Sequence, residues 1–140
     1  EQYFIAGHYR CGRVAHRLAL DHPQAVRKLA LLDIAPTLDM YEATDMAFAR
    51  AYYHWFLMLQ PAPLAEEMLA PVVPYNILAG SGLSAKGLKA FSKAALAEYV
   101  RAFADPRPVH ATCEDYRASA SVDLGHDRAQ QLLAFPECCR

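Results

Sequence analysis

One segment, residues 3–12, decides the fold; it reads YFIAGHYRCG. Its first three residues are aromatic or branched and the fourth is alanine, which predicts the end of a buried strand that stops at Gly7. From Gly12 onward apolar residues recur at helical spacing, and the sequence His22-Pro23 should end that helix. The segment therefore predicts a strand, a tight turn and a helix in immediate succession.

A second strand is predicted shortly after this helix. Residues 29–34 read LALLDI, a nearly continuous apolar run typical of a parallel strand covered on both faces, and Ala35-Pro36 ends it. The three elements together form a βαβ crossover. Asp33 then lies at the carboxyl end of the second strand, where open α/β sheets usually carry their chemistry.

The remainder of the chain reads as helical. Beyond Pro36 the strand signal disappears, and apolar residues recur at the spacing of a helix. The predicted helices are 45–59, 64–69, 93–103 and 112–124, with an irregular segment at 72–89. We therefore predict an α/β core followed by a helical insertion.

Composition narrows the classes of function. The 140 residues are 54% hydrophobic with a net charge of -1, and their charges are interspersed, so we expect neither a nucleic-acid nor a membrane surface. No apolar run approaches the ~20 residues of a membrane span. The four cysteines lack metal-ligand spacing, so we expect reduced thiols, a cytoplasmic location and no metal. A small molecule is the expected partner, and the missing initiator methionine suggests part of a longer protein.

The turn at residues 7–12, GHYRCG, has the features of a nucleophile elbow. In that motif the reacting side chain sits on a sharp turn between strand and helix, with small residues beside it because the backbone is crowded. Glycine-flanked turns are common, but the predicted strand and helix on either side strengthen the interpretation.

Residues 7–23, GHYRCGRVAHRLALDHP, resemble the segment GHDRGGRVAHRLALDHP of the haloacetate (including fluoroacetate) dehalogenases. The motifs LDIAPT, AYYHWF and HATCEDYRA then follow in that family's order, so the resemblance covers about residues 3–129. It implies a partial α/β-hydrolase fold, a reaction that cleaves carbon–halogen bonds of haloacetates to glycolate and halide, no cofactor, and a homodimer for the full-length family. The domains it implies are a partial α/β-hydrolase core at 1–36, a helical cap at 37–122 and an atypical C-terminal tail at 123–140.

The resemblance also assigns roles to individual residues. Tyr9 occupies the position of the nucleophile, which is aspartate in the family, and Asp33 matches the acid that orients a catalytic histidine. The expected substrate-binding residues are Arg10 and Arg13 for the carboxylate, and His54, Trp55 and Tyr116 for the departing halide. Without the resemblance, a solvated helix face would explain the arginines, and core packing would explain the aromatic residues.

Several departures from the family pattern predict an inactive chain. Tyr9 replaces the nucleophilic aspartate, and no histidine of this sequence matches the one that completes the reaction. Cys11 replaces a glycine, so we expect its side chain to clash with the neighbouring strand. Two alternatives stay open: a non-catalytic binder of small carboxylic acids, and an α/β-hydrolase similar to epoxide hydrolases.

Overall fold

The computed structural model describes residues 1–71 and 91–131. In chain order the elements are β1 (Tyr3–His8), α1 (Arg10–Asp21), β2 (Val26–Leu32), α2 (Thr37–Glu42), α3 (Met46–Ala51), α4 (Tyr53–Met58), α5 (Leu64–Leu69), α6 (Lys93–Phe103), α7 (Pro106–Ala118), a π-helical turn (Ser119–Asp123) and α8 (Leu124–Gln131). The backbone divides into two compact units: 1–43 with the residues from 123 onward, and 44–122.

The first unit contains the predicted βαβ crossover. Strands β1 and β2 pair in parallel, with His8 opposite Leu32, so the two strands end side by side. Helix α1 connects them and buries Gly12 and Ala15. The predicted order of strand, turn, helix and parallel strand is confirmed, and Asp33 follows directly after β2.

The expectation that the strands are covered on both faces is wrong for the described chain. Phe4 is 66% exposed and Leu32 is 53% exposed. The cause is the size of the sheet: with two strands and one packed helix, few side chains are available to cover it. The Arg27 guanidinium lies 5.6 Å from the Phe4 ring centre and gives that ring partial cover.

Helix α2 was not predicted, and it completes the first unit. It follows Pro36, and both Thr37 and Leu38 are buried. The Leu38 backbone N–H donates to the carboxylate of Asp127 in α8 at 3.3 Å, which connects α2 to α8. Residues 124–131, which the sequence assigned to the atypical tail, therefore form a helix within this unit.

The second unit is helical and has its own hydrophobic core, to which α4, α5 and α7 contribute. The buried side chains of this core are Met58, Ala65, Leu69, Val109 and Cys113. Helix α6 packs on α7, and its bounds agree with the predicted helix at 93–103. Helix α5 likewise agrees with the prediction at 64–69.

The single helix predicted over 45–59 is wrong, because the backbone leaves the helical conformation at Tyr52 (φ -116°, ψ 32°). Tyr52 ends α3 and its carbonyl accepts from the Trp55 N–H at 2.9 Å, which begins α4. After this break Trp55 and Met58 are buried, whereas every residue of α3 stays partly exposed. The break thus lets α4 direct its apolar side chains inward.

The helix predicted over 112–124 is also wrong in its bounds. Helix α7 begins at Pro106, because the Asp105 side chain accepts from the Arg107 N–H at 2.9 Å and proline is favourable in the first turn. It ends at Ala118, where the π-helical turn follows. The predicted irregular segment at 72–89 lies outside the described residues. Among the residues described, none of the helices is long and apolar enough to cross a bilayer.

Candidate active site

Tyr9 forms the sharp turn between β1 and α1. Its backbone has φ 52° and ψ -126°, a conformation that side-chain-bearing residues rarely adopt. The Tyr9 N–H donates to Leu32 O at 3.3 Å, and the Tyr9 carbonyl accepts from Gly12 N at 3.0 Å. One residue therefore ends the strand ladder and begins the helix. This strained single-residue turn is the geometry of a nucleophile elbow.

Gly7 and Gly12 make the elbow sterically possible. A Cβ on Gly7 would lie 2.6 Å from the carbonyl oxygen of Cys11, and a Cβ on Gly12 would lie 3.0 Å from Cγ1 of Ile34. Cys11 itself is exposed, so the expected clash of its side chain with the neighbouring strand is wrong. The backbone of Cys11 is crowded, whereas its thiol points to open space.

Asp33 lies beside His8 at the carboxyl end of the sheet. The Asp33 carboxylate is 3.9 Å from Nε2 of His8, and the two side chains are 90% and 64% exposed. Asp33 also has a positive φ, 53°, so both strands end in a strained non-glycine residue. This proximity to His8 was not predicted, although the parallel pairing of the two strands contains the signal for it.

Arg10 and Arg13 both line a cavity of about 280 Å³ in the first unit. Nη1 of Arg10 lies 3.1 Å from the carboxylate of Asp123. Nη1 of Arg13 donates to Ala35 O at 3.1 Å and to Thr37 Oγ1 at 2.9 Å. Both guanidinium groups are thus partly buried and held by the protein, so neither belongs to a freely solvated helix face.

His54, Trp55 and Tyr116 meet in the second unit. The Tyr116 ring makes edge contacts with His54 and Trp55, at centre distances of 6.3 and 5.9 Å. Trp55 is only 6% exposed, and burial lowers the pKa of His54. A neutral imidazole keeps one N–H donor, so this cluster can present ring N–H and phenol donors to an anion.

Proteins similar to this chain include a dehalogenase and a proposed α/β-hydrolase. The fluoroacetate dehalogenase of a Burkholderia species is 42% identical over 129 residues, which cover 91% of this chain and 42% of that relative. The structure of a proposed α/β-hydrolase from Nostoc sp PCC 7120 is 53% identical with a TM-score of 0.81, over 92% of this chain and 44% of that one. The chain has a partial α/β-hydrolase fold, and its resemblance to the haloacetate dehalogenases is confirmed.

A third similar protein carries a different proposed activity. A mutant of a proposed epoxide hydrolase from Pseudomonas aeruginosa is 39% identical with a TM-score of 0.79, over 94% of this chain and 44% of that one. No protein-family model matches the chain. The chain spans about two fifths of the length of the relatives it matches.

The chain also contains an ion network that was not predicted from the sequence. In the second unit, Arg117 donates to both carboxylate oxygens of Glu66 and to Glu114, and Nδ1 of His110 lies 3.0 Å from Glu66. The hydrogen bonds from Arg117, with a smaller contribution from His110, lower the pKa of Glu66 to about 2. His110 and the two carboxylates could otherwise bind a cation, but the Arg117 guanidinium already supplies the positive charge.

Proposed function

We propose that this chain is a haloacetate dehalogenase-like hydrolase segment that binds small carboxylic acids but does not turn over haloacetates. The observation that carries the proposal is Tyr9 at the strained apex of the elbow, between the crowded glycines Gly7 and Gly12. The backbone here has the conformation of a nucleophile elbow, whereas the side chain it presents is not the family's nucleophile.

Tyrosine is unsuited to the family's reaction for two chemical reasons. An ordinary phenol has a pKa near ~10, so only about 0.1% of it is ionised at neutral pH. If a phenolate did displace a halide, the product would be an aryl ether. An aryl ether lacks the carbonyl through which water releases an aspartyl ester, so the reaction would stop after one event.

The surroundings of Tyr9 support binding of the acid. Arg10 and Arg13 line one cavity in the same unit, and guanidinium groups offer paired donors that match the two oxygens of a carboxylate. In the second unit His54, Trp55 and Tyr116 form the donor cluster proposed for the halide. A carboxylate and an anion are therefore the chemical groups for which this chain keeps suitable side chains.

Halide release from fluoroacetate tests the proposal. We expect the chain to release none above a protein-free control. In the variant Tyr9→Asp, an oxygen of the introduced carboxylate should attack the CH₂ carbon, the carbon–fluorine bond should break, and fluoride should leave with the bonding pair. The ester should then persist, because no histidine of this sequence matches the one that hydrolyses it.

The matched control is Tyr9→Asn, which has nearly the shape of the aspartate variant but no nucleophilic oxygen anion. Intact-mass measurement should find one carboxymethyl group per chain in Tyr9→Asp and none in Tyr9→Asn, and circular dichroism should establish that both variants fold. Fluoride release over many turnovers by the unsubstituted chain, or an unmodified Tyr9→Asp variant that is folded, would contradict the proposal.

Binding of a carboxylic acid without any reaction can be tested separately, by measuring the melting temperature of the chain with and without glycolate. A ligand at a hundredfold excess over its Kd stabilises the native protein by about 2.7 kcal/mol. We expect glycolate to raise the melting temperature and the uncharged ethylene glycol to leave it unchanged. An equal response to both compounds would argue against a carboxylate site.

Epoxide hydrolysis is the second candidate, and the similarity to the proposed epoxide hydrolase from Pseudomonas aeruginosa favours it. The arginine pair argues against it, because an uncharged epoxide has no carboxylate for Arg10 and Arg13. Product analysis separates the two reactions: after Tyr9→Asp, styrene oxide should leave the protein mass unchanged, whereas fluoroacetate should increase it.

A further inference from the structure

We infer that α8 is a detachable strap on the first unit, joined to α2 by a helix cap that Asp127 supplies, so that the two helices open together. Helix α2 begins without a cap of its own, because the residue before it is Pro36, whose side chain has no oxygen. A capping side chain normally accepts from the N–H of the second or third helical residue. The Asp127 carboxylate makes this bond from α8: it accepts from the N–H of Leu38, the second residue of α2, at 3.3 Å.

The cap matters to α2 because this helix is short and its first turn is buried. Six residues are too few for a helix to be stable through its own hydrogen bonds. Thr37 and Leu38 are 5% and 2% exposed, so water has little access to the Leu38 N–H that Asp127 satisfies. The negative charge of Asp127 is also favourable at the N-terminus of a helix. When Asp127 moves away with α8, α2 therefore loses a bond that it needs.

The described contacts that hold α8 are mostly polar. Among residues 124–130, the part of this helix for which the structure describes burial, only Leu124 is buried. Arg17 of α1 donates to His126 O and to Gln130 Oε1, each at 3.5 Å, which is long for a hydrogen bond. Elements with few buried apolar contacts open at a small cost in free energy. Helix α8 should therefore open while the rest of the first unit stays folded.

The strap forms part of the walls of two cavities in the first unit, of about 280 and 150 Å³. Asp127 lines both cavities, and Gln130 lines the smaller one. Pro36, which precedes α2, also lines both. Opening of α8 together with α2 thus gives solutes access to both cavities at once, and the cap makes this access depend on one carboxylate.

Hydrogen exchange of single amides in the full chain, followed by NMR, tests the coupling. In Asp127→Ala the amides of α2 and α8 should exchange faster by a common factor, roughly two- to thirtyfold, which is the range expected for the loss of a helix cap. Asp127→Asn keeps an oxygen that can accept from the Leu38 N–H, so it should recover most of the protection. If Asp127 acted only as a charge beside Arg17, Asp127→Asn would lose as much protection as Asp127→Ala, and the capping role would be wrong.

Asp45→Ala is the matched control. Asp45 caps α3 in the second unit by accepting from the Phe48 N–H at 2.7 Å, so this substitution also removes one carboxylate and one cap. The exchange rates of α2 and α8 should stay within about twofold of the starting chain, because a strap opens without unfolding the other helices. Equal acceleration in Asp45→Ala and Asp127→Ala would mean that α2 and α8 open only with the whole fold, which would overturn the inference.

A second measurement uses the unsubstituted chain and does not need Asp127→Ala to fold. At low concentrations of urea, the amides of α2 and α8 should share one free energy of opening and one dependence on urea, both smaller than those of α1. The N–H of Leu38 should belong to this group. Different free energies of opening for α2 and α8 would show that the two helices do not open together.

Discussion

Arg117 on α7 holds Glu66 on α5 through two parallel hydrogen bonds, Nη1 to Oε1 at 2.8 Å and Nη2 to Oε2 at 3.0 Å. The two side chains are 17% and 16% exposed. Arg117 also donates from Nε to the carbonyl oxygen of Gln60 at 2.9 Å, which fixes the segment that precedes α5. One guanidinium therefore joins two helices and a turn around the core of the second unit.

This pairing predicts a loss of stability in acid. Arg117 lowers the pKa of Glu66 from 4.5 to about 2, so the unfolded chain binds this proton more readily than the folded chain. The stabilising contribution of Glu66 is complete above pH 4.5, declines as the pH falls and is lost near pH 2. Urea denaturation across this pH range should show the decline in stability. In Glu66→Gln the pH dependence should be absent, and the free energy of unfolding at neutral pH should be lower by roughly 1.5–3 kcal/mol.

The control for this prediction is Glu114→Gln. Glu114 also contacts Arg117, but its side chain is 55% exposed. We expect the decline of stability in acid to persist in Glu114→Gln, with a loss of about 0–1 kcal/mol. Equal effects of the two substitutions on the free energy of unfolding would mean that the bidentate contact at Glu66 stabilises the fold no more than the exposed contact at Glu114.

The crowding at the elbow predicts opposite effects of alanine at two glycines. In Gly12→Ala the new Cβ would lie 3.0 Å from Ile34 and 3.1 Å from the Gly7 carbonyl oxygen, so the free energy of unfolding should fall by roughly 1–3 kcal/mol. At Gly125 in α8, a Cβ meets no atom of the described chain within 4 Å. Gly125→Ala should therefore raise stability by roughly 0.5–1 kcal/mol. Thermal melts of both variants check the pair, and a destabilised Gly125→Ala would contradict it.

Local sequence signals account for the parts of the fold that were predicted correctly. The βαβ crossover follows from apolar runs that Gly7 and Pro36 end, and α5 and α6 follow from helical periodicity. The break at Tyr52 was missed because Tyr52 continues an aromatic pattern that fits an unbroken helix. The start of α7 was missed although Asp105-Pro106 is a recognisable beginning of a helix.

The roles of the candidate site residues come from motifs that resemble a family, and these roles stay predictions. Tyr9 and Asp33 follow from their places at the ends of two parallel strands. The contacts of Arg10 with Asp123 and of Glu66 with Arg117 join residues far apart in sequence. Spacing along one chain carries no signal for such pairs, because they depend on how the helices pack.

The strained backbone of Tyr9 predicts a stabilising substitution. Tyr9 has φ 52°, and the residue is 53% exposed. Glycine at this position would relieve backbone strain of about 1–3 kcal/mol while losing little buried surface. We expect Tyr9→Gly to raise the free energy of unfolding by about 1 kcal/mol. Tyr53 is similarly exposed, at 57%, but lies in helix α4, so Tyr53→Gly should lower stability instead. Denaturant titrations of both variants test this contrast, and a destabilised Tyr9→Gly would show that the tyrosine ring contributes more than its exposure indicates.

The half-buried imidazole of His54 predicts a second pH dependence. Burial lowers the pKa of His54 below its ordinary value of 6.5, so the unfolded chain takes up this proton before the folded chain does. Stability should therefore fall as the pH decreases below 6.5, and the decrease should stop once the folded chain is also protonated. In His54→Gln this slope should be absent, whereas the acid decline from Glu66 should remain, because the substitution leaves the hydrogen bonds between Arg117 and Glu66 in place. An NMR titration of the ring protons should find more than half of His54 neutral at pH 6.5. A ring that is mostly protonated there would contradict the prediction and remove a reason to assign His54 as a neutral N–H donor to halide.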